Sequence, residues 1–296
     1  MRILKTLMIT FILMIILIFL GAFFLSKPTI SAESGVLMDA DTGEIIFEKK
    51  GDVPSSPASM SKIMSEYIVL EKIHNGSISW NDVIVINDRT VDSNGVKINV
   101  NIGDRLTVRD LFSAMVIASA NNAAVALAEY ISGSEENFTE LMNKKAREMG
   151  LSDKTYFVNA TGLPNSQLAN KESQMTAIDV AKLSYQLIND FPEVLETTRL
   201  DQYEMDYAGV ILYNTNAMLF DPKLNFDGID GLKTGFTDLA GYCFAGTAKQ
   251  GEKRLISVVM GAEEEEQRFV ETRKLLSYGF DRSYFNFEYI INKFLK

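Results

Sequence analysis

Ser59 and Lys62 stand three residues apart in Pro57-Ala58-Ser59-Met60-Ser61-Lys62-Ile63-Met64. Pro57 and the small residues after it stop an extended segment. From Met60 onward the apolar positions Met60, Ile63, Met64, Tyr67, Ile68 and Leu70 recur at roughly helical spacing, which predicts a helix from Ser59 to about Asn75. On a helix, residues three apart share a face, so a hydroxyl and an amine are brought together. A serine hydroxyl is a poor nucleophile until a base within hydrogen-bond reach takes its proton. A lysine can be that base only when neutral, so its pKa must fall from about 10.4. The N-terminal end of a helix favours Asp or Glu over Lys, and a broken local rule of this kind tends to mark function. Taken alone, the tetrad also reads as an N-cap serine followed by an incidental lysine.

The rest of the reactive inventory excludes more than it suggests. The chain has one histidine, His74, and one cysteine, Cys243, too few for a His/Cys metal site or an internal disulfide. His74 precedes Asn75-Gly76, a helix stop, and suits a surface position near a helix C-terminus. A Ser-His-Asp hydrolase is therefore disfavoured, and the base for any activated serine is a lysine. Cys243 falls on a predicted strand and Trp80 in a loop-rich region, both as packing residues. No metal and no cofactor is expected. The formal charge of −10, from 29 basic and 39 acidic residues, argues against nucleic acid as a partner, since phosphate binding needs clustered positive charge.

Two later motifs change the weight of the first. Ser119-Ala120-Asn121 is weak by itself, because Ser79-Trp80-Asn81 matches the same S-x-N pattern. Lys233-Thr234-Gly235 occurs once, on a predicted strand after a Gly-Ile-Asp-Gly turn. A second lysine near the first supplies a reason for a neutral Lys62. A like charge ~5 Å away at an effective dielectric of ~20 is worth roughly 3 kcal/mol, or about two pKa units. Partial burial adds to it.

The elements that must position these residues follow from the pattern. Ser34–Asp39 and Glu44–Glu48 flank Ala40-Asp41-Thr42-Gly43 and predict a β-hairpin. Residues 76–106 are loop-rich, with short strands near Val83–Ile86 and Val96–Val100. Helices are predicted from Thr107 through Ile117, Asn122 to about Ile131, Glu135–Met149 and Thr176–Asn189. Leu232–Phe236, Gly241–Gln250 and Lys253–Gly261 predict three strands, and Glu263–Gly279 a last helix, with the Glu263–Glu266 run as a solvated cap. Strands at both ends of the chain around a helical insert give an α+β architecture. At the N-terminus, Arg2 and Lys5 precede an uncharged, mostly apolar run from Thr6 to Leu25. This run fits either a cleaved leader, with Ile30-Ser31-Ala32 as an unconvincing cut site, or a retained anchor. Positive charge ahead of it places the folded part outside the cytoplasm. The expected organisation is residues 1–32 as leader or anchor, 33–283 as the catalytic domain and 284–296 as a short tail, with membrane contact only through the N-terminal segment.

The three motifs, in this order and setting, resemble the S-x-x-K, S-x-N and K-T-G set of penicillin-binding proteins and serine β-lactamases. The hairpin Leu37-Met38-Asp39-Ala40-Asp41-Thr42-Gly43, the run Asn121–Glu129, Asn159-Ala160-Thr161-Gly162-Leu163-Pro164 and Asp230–Thr237 resemble the low-molecular-mass penicillin-binding proteins of peptidase family S11, the serine D-alanyl-D-alanine carboxypeptidases. The resemblance covers roughly residues 34–280. It implies a β-lactamase-like fold, a five-stranded antiparallel sheet packed against a helical cluster with the site between them. It also implies Ser59 as nucleophile, Lys62 as its base, and Ser119 as a proton shuttle to the leaving D-alanine. Asn121 would hold the substrate amide, and Lys233, Thr234 and Arg268 its terminal carboxylate. The backbone N–H groups of Ser59 and Phe236, the residue after Gly235, would form the oxyanion hole. The expected partners are peptidoglycan stems ending in D-Ala-D-Ala, and β-lactams as inhibitors.

The chain departs from the family pattern in places. Ala120 replaces the common glycine of S-x-N, and Phe236 the frequent histidine after K-T-G, where only a backbone amide is needed. Three alternatives share the motifs or the fold: a β-lactamase, an endopeptidase cutting cross-links, and a non-catalytic cell-wall binding protein. Against the first, the stretch Thr155–Ser166 contains no glutamate to drive deacylation. Intact Ser59, Lys62 and Lys233 argue against the last.

Overall fold

Alternation along the strands decides how the molecule is layered. In β1 (Ser34–Asp39), Val36 and Met38 point to one core while Leu37 points to another. A strand buried on both faces needs a cover on each side, and helices supply both. The computed structural model describes residues 27–280 and, before them, residues 8, 10–12 and 14. The apolar run from Thr6 to Leu25 and the tail 281–296 fall almost entirely outside the described residues. No helix among the described residues is long and apolar enough to cross a membrane.

In chain order the elements are β1, β2 (Ile45–Lys49), a 3-10 turn (Ala58–Ser61), α1 (Lys62–His74), β3 (Val83–Val85), α2 (Asp88–Asp92) and β4 (Arg105–Thr107). Next come α3 (Val108–Ile117), α4 (Asn121–Ser132), α5 (Glu135–Glu148), α6 (Ala177–Asp190), α7 (Val194–Thr198), β5 (Gln202–Glu204) and β6 (Ile211–Tyr213). The chain closes with β7 (Ile229–Thr237), β8 (Gly241–Gln250), β9 (Lys253–Ala262) and α8 (Gln267–Gly279). The main sheet is five-stranded and antiparallel, in the order β2-β1-β9-β8-β7, so the fold is α+β. Helix α8 packs on one face, where Leu37, Phe244, Val259, Phe269 and Leu276 form one core. The other face meets α6 and, beyond it, α1, in a larger core with Met38, Ile256, Val258 and Leu183.

Helix α1 is buried from Lys62 to Leu70, which suits a helix apolar nearly all round. Its polar exceptions, Lys62, Ser65 and Glu66, are buried with the rest. The first hairpin forms as expected: Asp39 Oδ1 accepts from the Asp41 and Thr42 N–H groups, each at 3.0 Å, and Gly43 takes φ +75°. Helices α3, α5 and α6 start on Thr107, Ser134 and Thr176, whose hydroxyls accept from the third residue on.

Several expectations are corrected. The helix predicted from Ser59 begins at Lys62, because residues 58–61 are wound more tightly as a 3-10 turn. Residues 96–100 form no strand; the Ile98 N–H and carbonyl bond to the side-chain amide of Asn122, at 3.1 and 2.8 Å. An amide mimics a strand edge there, and β3 pairs with Arg105–Thr107 instead. The last helix begins at Gln267, whose Oε1 accepts from the Glu263 N–H at 3.1 Å. The β5–β6 hairpin, α2 and α7 are not anticipated in the sequence. Packed chain also reaches back past Ala32. Ile30 and Ala32 are buried in the α8-side core, and Lys49 Nζ donates to both of their carbonyls, at 2.9 and 2.7 Å.

Candidate active site

The tight turn ahead of α1 aligns Ser59 with Lys62. In a 3-10 turn, residues i and i+3 eclipse, and Lys62 Nζ lies 3.0 Å from Ser59 Oγ. The turn is held by close packing. A Cβ on Gly235 would sit 2.6 Å from the Pro57 carbonyl oxygen, so only glycine lets β7 approach this closely. From the other side comes Gly162, at φ +81°, where a Cβ would fall 1.9 Å from the Ala58 carbonyl oxygen. Glu172 fastens the surroundings: its Oε2 accepts from Thr237 Oγ1 at 2.9 Å and from Ser56 Oγ, tying the end of β7 to the segment before Ser59.

Lys62 has no solvent-facing surface. Besides Ser59, its Nζ donates to Asn121 Oδ1 at 2.7 Å and to the Thr161 carbonyl at 2.8 Å. Asn121 begins α4, and its Nδ2 donates to the Asn94 carbonyl at 2.7 Å. The side chain expected to hold a substrate amide thus has both ends engaged, one of them in placing Lys62. Ser119 occupies the corner between α3 and α4 at φ +60°, a region that strains a non-glycine residue by on the order of 1–3 kcal/mol. The corner is held by the Ala120 N–H to the Ala114 carbonyl at 3.0 Å and the Asn121 N–H to the Val96 carbonyl at 2.7 Å.

Strand β7 brings the third motif. Lys233 is buried, with Nζ 3.3 Å from the Thr234 carbonyl. Thr234 Oγ1 donates to Thr215 Oγ1 at 2.7 Å. Phe236 is 46% exposed and stacks on Tyr242 with ring centroids 4.3 Å apart. Arg268, on α8, is buried rather than a surface residue. One of its nitrogens is 3.4 Å from the Gly235 carbonyl, a second donates to Glu265 at 2.9 Å, and the guanidinium lies over Phe269 at 4.7 Å. Ser59, Ser119, Thr234, Gly235, Phe236 and Arg268 all line one open cleft of about 630 Å³.

Burial is the largest influence on both lysines. It pushes Lys62 well below the ordinary lysine range, the Lys233 ammonium pushes it further, and Glu66 and Glu135 pull the other way. The like charge invoked from the sequence is real but ranks second. Burial also lowers Lys233; Glu66 raises it and Arg268 lowers it. The polar side chains around this cleft include hydroxyls, the Arg268 guanidinium and the carboxylates of Asp221, Glu265 and Glu266, and among the described residues no cluster of His, Cys, Asp or Glu could hold a metal ion. The arrangement can deprotonate a hydroxyl and hold a carboxylate. It has the parts for acyl transfer.

Sequence reasoning gave no role to Thr161, Thr215, Glu66 or Glu172. Thr161 lies in the quoted run Asn159–Pro164 but acts through its backbone carbonyl, which its residue type does not announce. A glutamate does reach the loop that carries none of its own: Glu135 Oε1 accepts from the Ala160 N–H at 3.0 Å. His74 stands exposed at the end of α1 beside Glu193, far in the fold from this chemistry.

Comparison with known proteins agrees with this geometry. The family model described as D-alanyl-D-alanine carboxypeptidase matches residues 22–264. The chain is 35% identical over 252 residues to D-alanyl-D-alanine carboxypeptidase DacF of Bacillus subtilis, covering 85% of this chain and 62% of that one. It is also 35% identical over 260 residues to D-alanyl-D-alanine carboxypeptidase DacC of Escherichia coli, with 86% and 62% covered. The chain therefore spans about three fifths of the length of these relatives. The ampicillin-bound structure of penicillin-binding protein D2 from Listeria monocytogenes superposes with a TM-score of 0.78 at 38% identity, covering 86% of this chain and 99% of that one. By its motifs, its fold and these matches, the chain belongs to the D-alanyl-D-alanine carboxypeptidase family, peptidase family S11.

Proposed function

We propose that this protein is a serine D-Ala-D-Ala carboxypeptidase that removes the terminal D-alanine from peptidoglycan pentapeptide stems, and that β-lactams acylate the same serine. The observation that carries the reading is a fully buried Lys62 whose amine lies 3.0 Å from Ser59 Oγ. Neutral Lys62 takes the Ser59 proton as Oγ bonds to the carbonyl carbon of the penultimate D-alanine. The Ser59 and Phe236 N–H groups receive the oxyanion; one such donor is typically worth about 10²–10³ in rate. The proton passes through Ser119 to the leaving nitrogen, the C–N bond breaks, and D-alanine departs. Water then loses a proton to Lys62 and attacks the ester carbon; as the bond from that carbon to Ser59 Oγ breaks, Lys62 returns the proton to Oγ, which restores Ser59 and neutral Lys62. Lys233, Thr234 and Arg268 hold the terminal carboxylate, with Gly235 giving the strand its close approach and Asn121 holding Lys62 in place.

Residues 33–283, together with the packed stretch from Ile30 to Ala32, form the catalytic domain of this proposal, 284–296 a tail, and the segment ahead of that stretch a leader or anchor that places the cleft outside the cytoplasm. Ser59→Ala should abolish both D-alanine release from a D-Ala-D-Ala peptide and labelling by fluorescent penicillin. Persistence of either refutes the assignment. Nitrocefin turnover, expected to be negligible, separates the enzyme from a β-lactamase.

A further inference from the structure

Glu66 lies four residues beyond Lys62 on α1, one turn deeper into the protein. It is fully buried, and among the described residues neither carboxyl oxygen has a hydrogen-bond partner. A buried carboxyl without partners is unfavourable unless nearby charge offsets it. Two groups face it: Lys233 from β7, which acts on it more strongly, and Lys62 from its own helix. Arg268 from α8 bears on Lys233, and Glu135 from α5 bears on Lys62.

The proposed chemistry asks opposite things of the two lysines. Lys62 must be neutral to accept a proton, and Lys233 positive to hold a carboxylate. Two adjacent buried amines share the same incentive to be neutral, so something must distinguish them. One carboxylate beneath them supports one ammonium, and it is coupled more strongly to Lys233. We propose that Glu66 is a positioning residue whose buried carboxylate is the counter-charge that keeps Lys233 protonated while Lys62 is neutral. This rests on the carboxypeptidase reading above. Glu66 touches no substrate and acts through Lys233. Burial pushes its carboxyl up to about 8 against the pull of the two ammoniums, and burial brings Lys233 down to about 8 as well, so Glu66 and Lys233 titrate as a coupled pair and the counter-charge is complete only at the alkaline end of the profile.

The test is the pH dependence of kcat/KM on a D-Ala-D-Ala peptide, and of benzylpenicillin acylation, for the full chain and its Glu66→Gln and Glu66→Asp variants. Removing the negative charge makes Lys233 lose its proton at lower pH. In Glu66→Gln the alkaline limb should therefore move down by about one pH unit or more. Above that limb KM should rise about tenfold, one pKa unit being a factor of ten. Glu66→Asp should keep the wild-type limb. Superimposable profiles, or a uniform loss at every pH, would show a packing role and overturn the proposal. Should Glu66→Gln not fold, carbon-13 NMR of glutamate-labelled wild type and Lys233→Met decides instead. The Glu66 carboxyl should titrate above the ordinary glutamate range and move higher still without Lys233; an unmoved titration overturns the pairing. A wild-type chain that neither releases D-alanine nor binds penicillin overturns the functional reading and this one with it. An active wild type with an unshifted Glu66→Gln limb overturns only the counter-charge.

Discussion

Lys62 has lost its water, and that sets the direction of the pH response. Burial and the Lys233 charge both favour its neutral form, so the ascending limb of benzylpenicillin acylation should fall well below the ordinary lysine value of 10.5. The rate should rise with pH through that limb as Lys62 gives up its proton, then fall when Lys233 loses its own, again below the ordinary lysine value. Lys62→Arg keeps a long cationic side chain but cannot deprotonate. It should reduce acylation by roughly 10²–10⁴, the usual worth of a general base, with no pH recovering it; stopped-flow acylation across the pH range checks this. Ser59, Lys62, Ser119 and the Lys233 motif were legible because their side-chain types declare chemistry. Thr161, which offers a backbone carbonyl, and Glu66, which acts from beneath, were not, since neither backbone roles nor depth are written in a residue's type.

Among the elements, the 3-10 turn at Ala58–Ser61 governs the site, and its shape depends on what presses against it. Gly235→Ala would put a methyl group against the Pro57 carbonyl at 2.6 Å. Overpacking of this kind costs typically about 1–3 kcal/mol, so the variant should lose thermal stability, and it should lose acylation rate as β7 moves off the turn. Calorimetry and penicillin labelling measure the two effects. Asn122→Ala should act differently, releasing residues 96–100 from the amide that holds the Ile98 backbone, with stability falling by about 1–3 kcal/mol for the groups left unpaired. Periodicity identified the long helices and the strands of the main sheet because they bury one or two continuous faces. It misplaced residues 96–100 and the start of α1, where a side-chain amide and a tight turn, rather than a repeating pattern, decide the conformation. Strands β5 and β6 are three residues each and α7 is five, too brief for a period to show.

At the scale of the molecule, a sheet buried on both faces makes two cores, and the chain ahead of β1 contributes to one of them. Ile30 is 3% exposed in the α8-side core. Burying such a side chain is worth about 1.5–3 kcal/mol. A chain beginning at Glu33 should therefore melt on the order of 5 °C below one beginning at Lys27, as thermal denaturation of the two would show. That strands from both ends of the chain meet in one sheet was readable in advance; that helices cover both of its faces was not. Which face each short connection would take was not, because that choice rests on contacts between residues distant in sequence.

Lys49 grips the carbonyls of Ile30 and Ala32, and this fastening sets how far the enzyme could roam. If the leader stays uncut, only Ser26 and Lys27 lie between Leu25 and the buried Pro28, at most about 10 Å of slack. So short a leash would hold the folded body within about 10 Å of the segment that precedes it.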